Sequence, residues 1–205
     1  LNTYKVRAFK IGIDNITAQG DPGKRLDPAL SSFFNTTNRE IDDIVERVMR
    51  AREVIGPDVE LALECHTRYN TDSDIQIGKA VATAGQLWLE EPVPSDNLDA
   101  MAQVRRSIPV PVACGENIYT RYGFRPVIEK QAASVIQPDM SKAGGLLETR
   151  KIAAMAEIYH IPIAPHGTAS PLAGMAYAHV CATVPNFLIL EFGHLKRQQS
   201  APLRT

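Results

Sequence analysis

The 205-residue chain has a formal net charge of −1 and 44% hydrophobic residues, enough apolar side chain to bury a sizeable core in the size range of one domain. Near-neutral charge removes the electrostatic basis for a nucleic-acid or anionic-membrane partner, and the apolar runs are far too short to cross a bilayer as helices. Three cysteines, Cys65, Cys114 and Cys181, lie in or beside apolar runs and read as reduced core residues of a cytoplasmic enzyme, not as a disulfide framework.

In chain order, TYKVRAFKIGI predicts a strand on which Ala8, Lys10 and Gly12 share one face. Lys10 is either a functional cation there or a solvated strand-end lysine. From Asp14 to Asn38 the sequence is rich in Gly, Pro, Ser, Asp and Asn without periodicity, which predicts a loop that is either functional or disordered. A helix follows over NREIDDIVERVMRAREVIGPD, with Asn38 as N-cap, an apolar stripe of Ile41, Ile44, Val45, Val48 and Ile55, and Gly56-Pro57 as its stop. Further helices are expected over 75–84, 98–106, 124–129, 146–159 and 171–183, with Gly or Pro at most joints. Gly144-Gly145 opens a helix after a strand and reads as tight helix packing, because the full phosphate-binding loop and its lysine are missing. His179 is expected to be packed inside its apolar helix. Beyond Gly193 the pattern vanishes. The expected organisation is one barrel domain over 1–192 and an irregular tail over 193–205.

Between these helices lie apolar runs that each end in a residue able to do chemistry. LALE, LWLE and VACGE end in Glu64, Glu90 and Glu116, spaced 26 residues apart. That interval fits one strand, one helix and two loops. ASVIQPD, IPIAPH and NFLILE continue the series to Asp139, His166 and Glu191. A repeat of this kind predicts an α/β fold of the TIM type, a (β/α) barrel whose reactive residues gather at the C-terminal ends of the strands. Seven runs are counted where a full barrel needs eight, so the chain is expected to be a piece of a longer protein.

Three acidic groups converging on one strand edge would repel one another and raise each other's pKa unless a positive charge lies among them. A purely oxygen donor set suits a hard divalent ion, Mg²⁺ or alternatively Mn²⁺. The competing reading is a structural ion-pair network. Glu91 should point to the opposite face from Glu90 and pair structurally. His66, two residues past Glu64, should look into the same mouth. Asp139 and His166 end neighbouring strands, so an Asp–imidazole hydrogen bond that would make His166 a general base is geometrically natural. Glu191 is a candidate to hydrogen-bond a substrate oxygen, and Arg121 and Tyr122, placed in a loop at the mouth, are candidate substrate contacts.

The runs LALECH, WLEEPV, ACGEN, IQPDMSKAGG and APH together resemble the catalytic barrel of the enolase superfamily, in its mandelate racemase branch, and most closely its gluconate- and galactonate-type acid-sugar dehydratases. The resemblance implies Mg²⁺ held by Glu64, Glu90 and Glu116, and an Asp139–His166 dyad as general base. It also implies that Lys10 pairs with the substrate carboxylate and that His66 protonates the departing hydroxyl. Glu64 stands where the family usually has Asp. Only one of the family's paired lysines is present, which favours dehydration over two-base racemisation. The family's N-terminal capping domain and first strand are missing from this sequence. The expected activity is dehydration of a small-molecule sugar acid to a 2-keto-3-deoxy acid by a homo-oligomer. The alternatives are a 2-hydroxy-acid racemase or epimerase, or a truncated barrel that binds metal without turnover.

Overall fold

The computed structural model describes residues 6–14, 35–167 and 170–192. The chain divides into two compact units, residues 1–113 and 114–205. The expected tail over 193–205 and most of the loop after Asp14 lie outside the described residues.

In the first unit β1 (Ala8–Gly12), β2 (Glu60–Glu64), β3 (Trp88–Glu90) and β4 (Val112–Cys114, whose last residue belongs to the second unit) run parallel in sequential order. Between them come α1 (Asn38–Ile55), α2 (Thr71–Ala80), a 3₁₀ turn at Ala82–Ala84 and α3 (Leu98–Ser107). Register fixes the levels of this sheet: Lys10 pairs with Ala62 and Ala62 with Trp88, while Gly12 pairs with Glu64 and Glu64 with Glu90. Because side chains alternate, Lys10, Ala62 and Trp88 occupy one level of a common face and Gly12, Glu64 and Glu90 the next. Leu61, Leu63 and Leu89 are fully buried on the other face.

Helix α1 starts one residue from where the sequence suggests. Thr37, not Asn38, is the N-cap: its hydroxyl accepts from the Glu40 N–H and the Glu40 side chain accepts from the Thr37 N–H, a reciprocal capping box. Ile44 and Val48 of the expected stripe are buried. Gly56, at a φ of 75° that glycine adopts without strain, ends the helix. Arg52 in the last turn then donates to the carbonyls of Ala84, Gly56, Val59 and Gly85, tying the helix end to the loops around β2. Helix α2 begins four residues before the expected Ile75, because the Asn70 side chain accepts from the Ser73 N–H.

In the second unit Cys114 is followed by α4 (Thr120–Glu129), β5 (Val135–Ile136), α5 (Leu146–Ile158) and α6 (Pro171–Cys181). Gln137 N–H bonds to the Cys114 carbonyl and so joins β5 to the end of β4. The two remaining expected strands are reduced to single parallel bridges, Ile136 to Ile163 and Ile163 to Phe187. Pro162 and Pro165 flank Ile163 and have no N–H to give, so no ladder propagates from it. Gly144 and Gly145, at φ of 111° and 90°, make the tight entry into α5. His179, expected to be packed, is exposed, because Tyr177, Val180 and Cys181 take the buried face of α6.

The fold class is thus α/β, with helices alternating with parallel strands in the order of a TIM-type barrel. Among the described residues there are five strands and two bridges, against eight strands in a full barrel. None of the described helices is long and apolar enough to cross a membrane.

Candidate active site

In the first unit the functional candidates stand at the C-terminal ends of β1, β2 and β3. Glu64 and Glu90, in register, are 2% and 0% exposed, and their carboxylates offer oxygens within 4.8 Å of each other. Gly12 contributes no side chain at their level. Lys10 rises from the level below, and its Nζ donates to Glu64 Oε2 at 3.1 Å and Glu90 Oε1 at 2.7 Å. The other oxygen of each carboxylate accepts from a neutral donor. Glu64 Oε1 takes the His66 backbone N–H at 3.0 Å, and Glu90 Oε2 takes the Trp88 indole N–H at 2.8 Å. Burial, and then the neighbouring Glu90, hold the Glu64 carboxyl far above the usual carboxylate range against the opposing pull of Lys10. Two buried acids so placed require positive charge, and one ammonium only partly supplies it.

His66 does not continue the alternation of β2. It and Thr67 adopt left-handed backbone, φ 49° and 54°, so the strand-face argument for its direction does not apply. Its ring is 52% exposed, with Nδ1 3.1 Å from Asp14 Oδ2. Arg68 approaches the same Asp14 oxygen at 3.9 Å. Glu91 also turns left-handed, φ 42°, and is buried, accepting from the Ser95 hydroxyl at 3.0 Å.

The second unit brings Glu116, Asp139, His166 and Glu191 together around one imidazole. His166 Nδ1 lies 2.9 Å from Asp139 Oδ2, and Nε2 lies 3.0 Å from Glu116 Oε2 and 3.7 Å from Glu191 Oε2. His166 and Asp139 are 6% and 2% exposed. Burial pushes the Asp139 carboxyl up, but hydrogen bonds from Ser141 and His166 outweigh it and hold the pKa below the usual range. Its Oδ1 accepts from the Ser141 N–H at 2.8 Å and the Tyr177 hydroxyl at 3.2 Å, leaving Oδ2 to the ring. With Nδ1 against the Asp139 carboxylate, that nitrogen carries a proton, and Nε2 faces the Glu116 carboxylate.

Arg121 and Tyr122 are not in a loop; they lie in the first turn of α4. Arg121 is bound to Glu148 at 2.7 Å and donates to the Tyr122 hydroxyl at 3.1 Å, with Tyr122 71% exposed. They do not join the His166 cluster through any of these contacts. Asp14, Trp88, Ser141 and Tyr177 are polar partners that sequence reasoning missed. Period-two alternation marks Trp88 as sharing a face with Glu90. Nothing local marks the other three.

Within the first unit, Glu64 and Glu90 form a buried carboxylate pair of the kind that coordinates a divalent cation. The donor chemistry fits: all oxygen, with an ammonium already serving as counter-charge to both acids.

Comparison with known proteins agrees with this architecture. The family model described as enolase C-terminal domain-like matches residues 2–204. A D-xylonate dehydratase from Haloferax volcanii is 41% identical over 155 residues, 76% of this chain and 38% of that protein. A D-galactonate dehydratase from Ralstonia pickettii is 37% identical over 144 residues, 70% of this chain and 38% of that protein. The crystal structure of a mandelate racemase/muconate lactonizing enzyme-like protein from Rubrobacter xylanophilus superposes with a TM-score of 0.84 at 42% identity, covering 93% of this chain and 46% of that one. The chain therefore spans less than half the length of these relatives. By sequence, fold order and the residues at its strand ends, the chain belongs to the enolase C-terminal domain-like family, in the mandelate racemase branch of the enolase superfamily.

Proposed function

We propose that this chain is the catalytic barrel portion of a divalent-metal-dependent, Mg²⁺-type dehydratase of sugar acids. The observation that carries the reading is the buried His166 imidazole, held through Nδ1 by Asp139 with Nε2 turned to carboxylates. The dehydratases among its relatives support the substrate class.

Glu64, Glu90 and Glu116 are the residues that would hold the ion. When bound, it supplies positive charge that stabilises the negative charge developing as a proton leaves the carbon next to a carboxylate. His166 Nε2 takes that α-proton, and Asp139 stabilises the resulting imidazolium and fixes the ring. The electron pair left on carbon expels the β-hydroxyl, which accepts a proton from His66 and departs as water. The enol ketonises to a 2-keto-3-deoxy acid, so the step needs no oxidant. Lys10 pairs with the substrate carboxylate, Glu191 hydrogen-bonds a substrate oxygen, and Arg121 and Tyr122 contact the distal part of the substrate. The same reading includes a homo-oligomer in the cytoplasm. Three free, buried cysteines support a reducing compartment, and Leu172 and Met175, exposed on α6, support self-association.

The test is His166→Asn in the full-length protein that contains this chain, assayed on a panel of aldonic acids. The expected result is a fall of at least about 100-fold in keto-acid formation, with loss of solvent deuterium exchange at the α-carbon. Unchanged product formation contradicts the proposal. Deuterium exchange in the unsubstituted protein without loss of water would replace it with a racemase or epimerase.

A further inference from the structure

We infer that Trp88 is a positioning residue for the divalent cation: its indole N–H holds one oxygen of Glu90, so that the carboxylate meets the ion through the other oxygen alone, which favours Mg²⁺ over Ca²⁺. This rests on the cation site proposed above and adds a selectivity element to it.

Trp88 is the only tryptophan of the chain. It stands two residues before Glu90 on β3, on the same face and one level below. Its ring is buried at 5% exposure, and a buried indole N–H requires an acceptor. That acceptor is Glu90 Oε2, at 2.8 Å. The terminal torsion of a glutamate is broad and nearly free in isolation. A short hydrogen bond from a ring packed against the sheet removes that freedom.

Glu64 is held in the same manner by a different donor. The His66 backbone N–H occupies its Oε1, and its Oε2 faces Lys10. Each acid thus gives one oxygen to a neutral N–H and the other to the ammonium. Lys10 Nζ marks the direction in which both carboxylates are set to meet positive charge.

This arrangement distinguishes between ions. Mg²⁺ binds at about 2.0–2.1 Å in a near-ideal octahedron, usually taking a single oxygen from each acid, whereas Ca²⁺ collects six to eight oxygens and often uses a carboxylate through both. Fixing Oε2 of Glu90 leaves the pre-set single oxygen that suits Mg²⁺ and withholds a ligand from Ca²⁺. Polar partners that orient a metal ligand typically contribute 10–100-fold to affinity.

The test replaces the sole tryptophan with β-(3-benzothienyl)alanine, which keeps the two-ring volume but puts sulfur where the N–H was, alongside Trp88→Phe. Mg²⁺ and Ca²⁺ binding to each form of the full-length protein that contains this chain is then measured by isothermal titration calorimetry. The expected result is a Mg²⁺ Kd raised about tenfold or more with the Ca²⁺ Kd changed less than about threefold. If Trp88→Phe does not fold, the benzothienyl form carries the comparison. Equal changes for both ions, or none, overturn the inference and leave the cation site standing. Failure of the unsubstituted full-length protein to bind Mg²⁺ overturns both.

Discussion

Replacing Gly167 by Ala should damage the His166 site through a backbone collision. A Cβ built there lies 2.0 Å from the Glu191 carbonyl oxygen, where real Cβ atoms essentially never come within 3.0 Å. The Gly167 and Glu191 backbones must therefore separate by at least 1.0 Å, the difference of those two distances. The Gly167 N–H donates to Glu191 Oε2 at 3.3 Å, and that oxygen lies 3.7 Å from His166 Nε2. The displacement thus pulls a carboxylate away from the reactive nitrogen. Overpacking of this kind costs about 1–3 kcal/mol of stability, and a misplacement of about 1 Å at a reacting centre costs on the order of 100-fold in rate. Thermal melts and turnover of the full-length protein on aldonic acids measure the two effects. Wild-type melting temperature together with wild-type turnover in Gly167→Ala would refute the reasoning.

Asp139→Asn should lower turnover by about 100-fold or more with a smaller change in KM, because the imidazolium loses its counter-charge; steady-state kinetics check it. The same variant makes a pH prediction. The folded pKa of Asp139 lies below its ordinary value, so the carboxylate's contribution is fully present above an unfolded pKa of about 3.9 and is lost as pH falls through the folded value. Denaturant melts should show the stability gap between the unsubstituted protein and Asp139→Asn closing below about pH 4; a gap constant from pH 7 downward would contradict it. Thr37→Ala removes the capping box of α1 and should cost about 1 kcal/mol in urea unfolding, with no effect on metal affinity.

What the sequence revealed depended on whether a residue's role was set by the period of the chain or by a distant partner. Glu64 and Glu90 were legible because LALE and LWLE are short buried strands, and their parallel register makes the two ends neighbours. Asp139 and His166 were legible from the same period, although IPIAPH pairs with its neighbours through Ile163 alone, two of its residues being prolines. Lys10 was legible as a polar inward residue. Its place between two carboxylates depends on Gly12 leaving room beside Glu64, which no pattern announces. His66 could not be placed by alternation because the backbone turns left-handed directly after Cys65. Arg121 and Tyr122 looked like loop because the sequence suggests a helix only from Phe124, whereas α4 spans Thr120–Glu129. Tyr177 reaches Asp139 from α6, 38 residues away in sequence, and such a contact exists only once the chain has folded.

Calorimetric titration of Mg²⁺ into the unsubstituted chain and into Glu64→Gln, Glu90→Gln and Glu116→Gln tests the shared cation most directly. The account predicts one ion per chain and a loss of affinity of at least about tenfold in each variant, since each removes an anionic oxygen ligand. Wild-type Mg²⁺ affinity in Glu116→Gln, or no binding by the unsubstituted chain, would contradict it.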